Sequence, residues 1–208
     1  MKNNFLFVLI VILIVGCSST KNVTEKLFSS KEVQLIMSAD SLKPMRVFKI
    51  TNKKDSLLLR TKSRYIKADP NDVVLQRFVK RLYATVTDSM SLGAGIAAPQ
   101  VGILKNIIWV QRFDKEDLPF EVFLNPKIVK YSDKKQRVTE GCLSIPDRRE
   151  TLNSRSLSID IEYDTMQAEH KTETVANFTS VIFQHEIDHL NGILYLDHLK
   201  KEVRDSEK

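Results

Sequence analysis

One five-residue pattern constrains this chain more than any other: His185-Glu186-Ile187-Asp188-His189. Its surroundings read as one helix from about Asn177 to Asn191. Asn177 is a candidate N-cap, and Gly192 stands where a helix-ending glycine belongs. On a helix, residues four apart share a face, so both imidazoles can grip one metal ion. Glu186, next to the first histidine, is placed to act as general base toward a water on that ion. A solvated, charged helix turn could carry the same letters. Val181, Ile182 and Phe183, just before it, argue instead for a helix with a buried side.

Two histidines need a third protein ligand. Downstream, Asp197, His198 and Glu202 follow a chain reversal at Gly192 and are poor candidates. Upstream, Cys142 sits in Glu140-Gly141-Cys142-Leu143-Ser144. A lone cysteine is often just a small buried hydrophobe. Beside a His-Glu-x-x-His helix, a thiolate ligand is the better reading. One Cys and two His leave a fourth position open for water, as a hydrolytic site requires.

A third segment, Gly93-Ala94-Gly95-Ile96-Ala97-Ala98-Pro99-Gln100, is a run of small residues ending in an amide. It follows a helix and lacks the last glycine of a dinucleotide fingerprint. Its glycines could simply make a turn. The more useful reading is a loop whose missing side chains let a substrate backbone come close.

The remaining signals define the class of fold. Asp69-Pro70 predicts a helix start, with Asp69 as cap. Leu75, Phe78, Val79, Leu82 and Val86 then form one apolar stripe. Ile107–Val110 and Val122–Leu124 read as strands. Leu157, Ile159, Ile161 and Tyr163 alternate with polar residues, as in a strand with one buried face. Helix, several strands, then helix argues for α+β with an antiparallel sheet.

Taken together, Gly-x-Gly-x-Ala-Ala-x-Gln at 93–100, Glu-Gly-Cys-Leu-Ser at 140–144 and Gln-His-Glu-x-Asp-His-Leu-x-Gly at 184–192 resemble the three signature motifs of the peptide deformylase family. They occur in the family's order. Weaker similarity spans residues 46–200, including Leu59-Arg60 and Ile145-Pro146. The resemblance implies an α+β fold with antiparallel sheets packed around the C-terminal helix that carries the two histidines. It implies one divalent metal held by Cys142, His185 and His189, with a water completing a tetrahedron. The implied reaction is hydrolysis of the N-formyl group of a formyl-methionyl peptide, with formate as product. Glu186 would be the base, and the oxyanion would meet the metal, the Gln100 amide and the Leu143 backbone N–H.

Further roles follow from the same resemblance. Gly93, Gly95 and Ile96 belong to the substrate loop, with Ile96 where the family usually has leucine. Phe178, Val181 and Ile182 would wall the methionine pocket, and they are equally plausible as core residues. Arg149 matches the position that meets the peptide backbone. Glu140 would pair with an arginine that the family spaces about fourteen residues on; Arg155 is fifteen away, so an extra residue must be absorbed. The segment 148–155 is more polar than the family pattern, and the strand at 159–164 lacks the glycine that commonly follows its aspartate.

The N-terminus raises a separate question. Phe5 to Val15 are eleven consecutive apolar residues, too short to span a bilayer comfortably but suited to a signal peptide. Leu13-Ile14-Val15-Gly16-Cys17 resembles a bacterial lipobox, which makes Cys17 the expected lipidation site. The expected division is a signal peptide at 1–16, a lipidated tether at 17–44 and a catalytic domain at 45–208. An uncleaved anchor, or a true start at Met37 or Met45, are the alternatives; the last would leave the protein in the cytoplasm. The chain carries 32 Lys+Arg against 26 Asp+Glu, a net +6, which suits an anionic membrane or simply a solvated basic surface. No nucleic-acid partner is expected. Two cysteines exclude a disulfide scaffold, and if Cys17 takes lipid and Cys142 takes metal, no disulfide remains.

Export conflicts with a cytosolic supply of formylated chains. The leading expectation is still a membrane-anchored deformylase facing outside the cytoplasm. A metallohydrolase with a different small amide or peptide substrate, and a non-catalytic binding lipoprotein, are the alternatives. The family often uses Fe2+. Outside the cytoplasm a thiolate-bound Fe2+ would be prone to oxidation, which favours Zn2+ or another redox-tolerant metal.

Overall fold

The computed structural model describes residues 26–89 and 93–208. The Phe5–Val15 run and Cys17 lie outside them. Three helices come first: α1 (Ser30–Met37), α2 (Lys53–Leu59) and α3 (Val73–Val86). Then follow β1 (Gly95–Ala97), a 3-10 turn (Ala98–Val101), β2 (Ile107–Gln111), β3 (Phe120–Tyr131), β4 (Lys135–Cys142), β5 (Ile145–Ser156), β6 (Ser158–Asp164) and β7 (His170–Ala176). The chain ends with α4 (Asn177–Leu190) and α5 (Tyr195–Ser206). All strand pairs are antiparallel. Five strands form one sheet in the order β1-β2-β3-β6-β7, and β4 with β5 forms a separate hairpin. The fold is α+β, as expected.

The five-stranded sheet is covered on both faces, which explains why β2 reads as an unbroken apolar run. Side chains alternate across a strand. Ile107 joins a core with α1 and α3, whereas Ile108 and Val110 join a core with α4. The register Ile107↔Leu124 and Ile108↔Phe123 repeats this division on β3. On β6, Ile159 and Ile161 point to the α4 side. The helix His185 belongs to is therefore wedged onto the sheet by Ile182, Phe183, Ile187 and Leu190.

The α3 stripe is entirely buried, but the helix starts later than expected. Asp72, not Asp69, is the N-cap; its carboxylate accepts from the Val74 and Leu75 N–H groups at 2.9 and 2.7 Å. Asp69 instead closes a local turn onto Asn71. The Asn177 expectation is also corrected. Asn177 has φ 57 and its side chain caps nothing; Ala176 is the boundary residue. The Asn177 carbonyl accepts from Gln136 Nε2 and Ser180 Oγ, and these bonds secure the turn into α4. Gly192 does end the helix, at φ +71, where an added Cβ would sit 2.5 Å from the Arg60 carbonyl oxygen.

The stretch expected to be tether up to residue 44 packs into the fold from Phe28 onward. Phe28 and Ile36 are buried against α3, and Phe28 meets Phe78 edge-on at 5.9 Å. Arg81 of α3 is 4% exposed and has no carboxylate partner among the described residues. Its guanidinium donates instead to the carbonyls of Leu35, Ile36, Lys43 and Pro44. Two of these are carbonyls from the last turn of α1, where the i+4 donors run out; Leu35 also accepts from Ser38. No described helix is long and apolar enough to cross a membrane.

Candidate functional site

α4 carries His185 and His189 one turn apart, with ring centroids 5.1 Å apart. Cys142 arrives from the end of β4. One ligand atom from each of the three residues falls in a group no wider than 4.8 Å. Cys142 Sγ is 3.2 Å from His189 Nε2. His185 Nδ1 donates to Glu140 Oε2 at 2.7 Å, which leaves its other ring nitrogen for the cluster. Burial pushes the Cys142 thiol up, but His189 and His185 outweigh it and hold the group well below the ordinary thiol range. A thiolate with two imidazoles is a donor set suited to one divalent transition metal.

The groups around the cluster are themselves braced. Glu140 is buried, which alone would raise its pKa; hydrogen bonds from His185 and Arg155 reverse this and lower it to about 2. Arg155 holds Glu140 through two bonds, at 2.6 and 3.0 Å, and reaches Asp188 at 2.7 Å. The fifteen-residue spacing is thus accommodated, with a register shift between Gln136 and Val138 in the β4–β5 pair. His198 of α5 donates to the same Asp188 oxygen at 2.8 Å. Tyr195 stacks on His185 at 6.0 Å and donates to the Arg148 carbonyl at 3.0 Å. Metal-binding histidines are commonly oriented by such partners.

Glu186 is buried beside the cluster, and Oε2 has no hydrogen-bond partner among the described residues. Burial pushes its carboxyl up to about 7 against the opposing charges of His185 and His189. A value near neutrality suits a group that must both take and give a proton. Gly95 makes room for it: a Cβ there would lie 2.7 Å from Glu186 Oε1 and 2.8 Å from Ile182 Cγ2. Gln100 Oε1 accepts from the Ala97 N–H at 2.8 Å, which turns the amide Nε2 toward Ser144 Oγ at 3.2 Å and Cys142 Sγ at 3.7 Å.

These residues open onto a cavity of about 650 Å³. Gly93, Gly95, Gln100, Leu143, Arg149, Phe178, Val181, Ile182, His185 and Glu186 all line it, together with Cys142. His189 does not line it; it lies beneath, 1% exposed, at the inner side of the cluster. Ile96 is corrected. It is fully buried on the opposite face of β1, in the α3 core, because side chains alternate and Gly95 already takes the cavity side. Arg149 lies over Gly141, at the cavity's mouth. Asp188 and Tyr195 are not singled out by the sequence, and His198 enters there only as a poor candidate for third ligand. Asp188 had a signal, since it lies three residues from His185 on the same helix; Tyr195 had none, because a separate helix carries it.

The fold and site define a metal-dependent hydrolase built on an α+β scaffold. A family profile described as Polypeptide deformylase matches residues 47–205, and the chain belongs to that family. It is 37% identical over 162 residues to a peptide deformylase of Desulforudis audaxviator, covering 74% of this chain and 94% of the relative. It is 35% identical over 150 residues to that of Agrobacterium fabrum, covering 71% and 85%. Among solved structures, the actinonin-bound class I type b peptide deformylase of Acinetobacter baumannii superimposes with TM-score 0.65 at 31% identity, covering 75% of this chain and 98% of that one. The peptide deformylase of Thermotoga maritima gives TM-score 0.64 at 28% identity, covering 74% and 97%.

Proposed function

We propose that this chain hydrolyses the N-formyl group of formyl-methionyl peptides, releasing formate and a free amine. The observation that carries this reading is the cluster of Cys142, His185 and His189 at the floor of one cavity, with Glu186 and Gln100 lining that cavity beside it. The metal, when bound by the three ligands, supplies Lewis-acid polarisation of the formyl group and acidifies a water. Glu186 takes the proton of the attacking water and passes it to the leaving amine. The Gln100 amide, aimed by its bond to Ala97, and the Leu143 backbone N–H donate to the oxyanion; one such donor is typically worth about 10²–10³ in rate. Gly93 and Gly95 admit the substrate backbone, Arg149 holds the peptide at the mouth, and Phe178, Val181 and Ile182 receive the methionine side chain.

The test is formate release by protein beginning near Ser18, with formylated and unformylated peptides compared. Glu186→Ala should retain metal and lose formate release. Cys142→Ala should lose metal; unchanged metal content would reject the ligand assignment. If wild-type protein releases formate from no formyl-methionyl peptide, the substrate reading is wrong.

The same proposal places the catalytic domain outside the cytoplasm, tethered through lipid on Cys17. The apolar run ahead of Val15-Gly16-Cys17 supports it. Mass spectrometry of the mature N-terminus decides, and an unmodified start at Met1, Met37 or Met45 would overturn it. Zn2+ or another redox-tolerant metal is proposed for that setting, because a thiolate beside Fe2+ is prone to oxidation. Elemental analysis of protein from native membranes checks this, and a predominantly iron site would reject it.

A further inference from the structure

Phe178 does not end the apolar wall of the cavity. On its outer side lies Phe113, from the loop between β2 and β3, with ring centroids 5.1 Å apart in an edge-on contact. Both rings are large and remain exposed, Phe113 at 40% and Phe178 at 44%. Leu118 of the same loop is 43% exposed. Exposed apolar residues scattered singly need no explanation, but an aromatic pair continuous with a cavity marks a contact surface.

The loop is held in this position. Arg112, the residue before Phe113, is 2% exposed and lies beside the edge-on pair of Phe123 and Phe183 rings, about 6 Å from each. Its guanidinium binds Asp114 through two bonds of 2.9 and 2.7 Å, and reaches Glu121 at 2.8 Å and Glu173 at 3.0 Å. Its backbone N–H closes the loop onto the Pro119 carbonyl at 2.7 Å. Asp114 also faces Thr179, the neighbour of Phe178 on α4. The two phenyl rings are thus presented from two elements that the charged hub ties together, so little ordering remains when a ligand arrives.

We propose that Phe113, with Phe178, is a specificity-determining residue that selects formyl-methionyl peptides with a large apolar side chain at the third position. The inference rests on the deformylase reading of the cavity. In an extended peptide, alternate side chains share a face and lie roughly 6.5–7 Å apart. With the methionine side chain against Val181, Ile182 and the inner side of Phe178, the third side chain falls on the same face, toward Phe113. The second points away.

The test compares formyl-Met-Ala-Leu with formyl-Met-Ala-Ser on wild type, Phe113→Ala and Phe113→Tyr. Removing roughly 50 Å² of apolar contact should lower kcat/KM for the leucine peptide about tenfold, mainly through KM. The serine peptide should change less than twofold, and Phe113→Tyr should keep the preference. Equal effects on both peptides, or none, with an active wild type would overturn the role of Phe113 alone. Absence of formate from both peptides with wild type would overturn the deformylase reading and the role of Phe113 with it.

Discussion

Glu140 accepts the Nδ1–H of His185 at 2.7 Å, and this one bond couples a β-hairpin to the helix that carries two of the three proposed metal ligands. The carboxylate determines which ring nitrogen of His185 is left for metal. It is in turn held by Arg155, which also grips Asp188 of the same helix. The geometry of the site is therefore set by a chain of buried charges behind it.

Glu140→Gln removes the charge but keeps the shape. Loss of such an orienting partner typically weakens metal binding about 10–100-fold. Competition with a chelator, at matched folded fraction by circular dichroism, measures it. An unchanged affinity would mean that the hairpin does not orient His185.

Gly95→Ala tests the close approach of β1 to Glu186. The new methyl would meet Glu186 Oε1, Glu186 Cγ and Ile182 Cγ2, all under 3 Å. The base must shift, and misplacement by about 1 Å can cost on the order of 10²-fold in rate. Metal content should stay at the wild-type level, because no ligand faces that methyl among its nearest contacts. Loss of metal together with rate would point to wider collapse.

Asp114→Asn tests the Arg112 hub through pH. The Arg112 guanidinium beside Asp114 lowers its carboxyl from the ordinary 3.8 to about 2. A depressed native pKa gives stability that is fully present above about pH 4 and is lost as pH falls through about 2. The variant should be less stable than wild type at pH 7, with the gap closing between about pH 4 and pH 2. Urea titrations across that range check it; a gap independent of pH would assign the loss to packing.

Truncation separates linker from fold. Protein beginning at Lys26 keeps every described residue of the N-terminal arm and is the reference. Protein beginning at Met45 lacks Phe28, Ile36 and the carbonyls of Leu35, Ile36, Lys43 and Pro44 that receive Arg81. The truncation uncovers the apolar surface of α3 that Phe28 and Ile36 bury, and replaces the Arg81 hydrogen bonds by solvent. The shorter protein should show a large fall in midpoint, and an unchanged midpoint would show that the arm is dispensable.

The elements most legible in the sequence are those whose pattern has one physical origin. The α3 stripe from Leu75 to Val86 repeats because one helix face meets one core. Its start was misplaced because Asp69 and Asp72 are equally good caps by residue type, and only the packed helix selects between them. β2 was found through its apolar run. β4 and β5 were missed because a two-stranded hairpin with a partly exposed face need not alternate, and their residues are largely polar. α5 was missed because Tyr195 and Leu196 alone are its buried residues among a charged remainder. Ile96 was placed with its motif, although strand alternation turns it away from the cavity.

Local periodicity, by itself, set His185, Glu186 and His189 on one helix, since 3.6 residues per turn leaves no other arrangement once the helix forms. It also made Cys142 a candidate by residue type. Only the tertiary structure decided that Cys142 Sγ lies 3.2 Å from His189, that Gly95 yields to Glu186, and that Arg155 serves Glu140 and Asp188 together. The reason is that these partners are 15 to 91 positions apart in the chain, so no local rule relates them. Their distances follow from how a hairpin, a sheet edge and a helix share one buried volume.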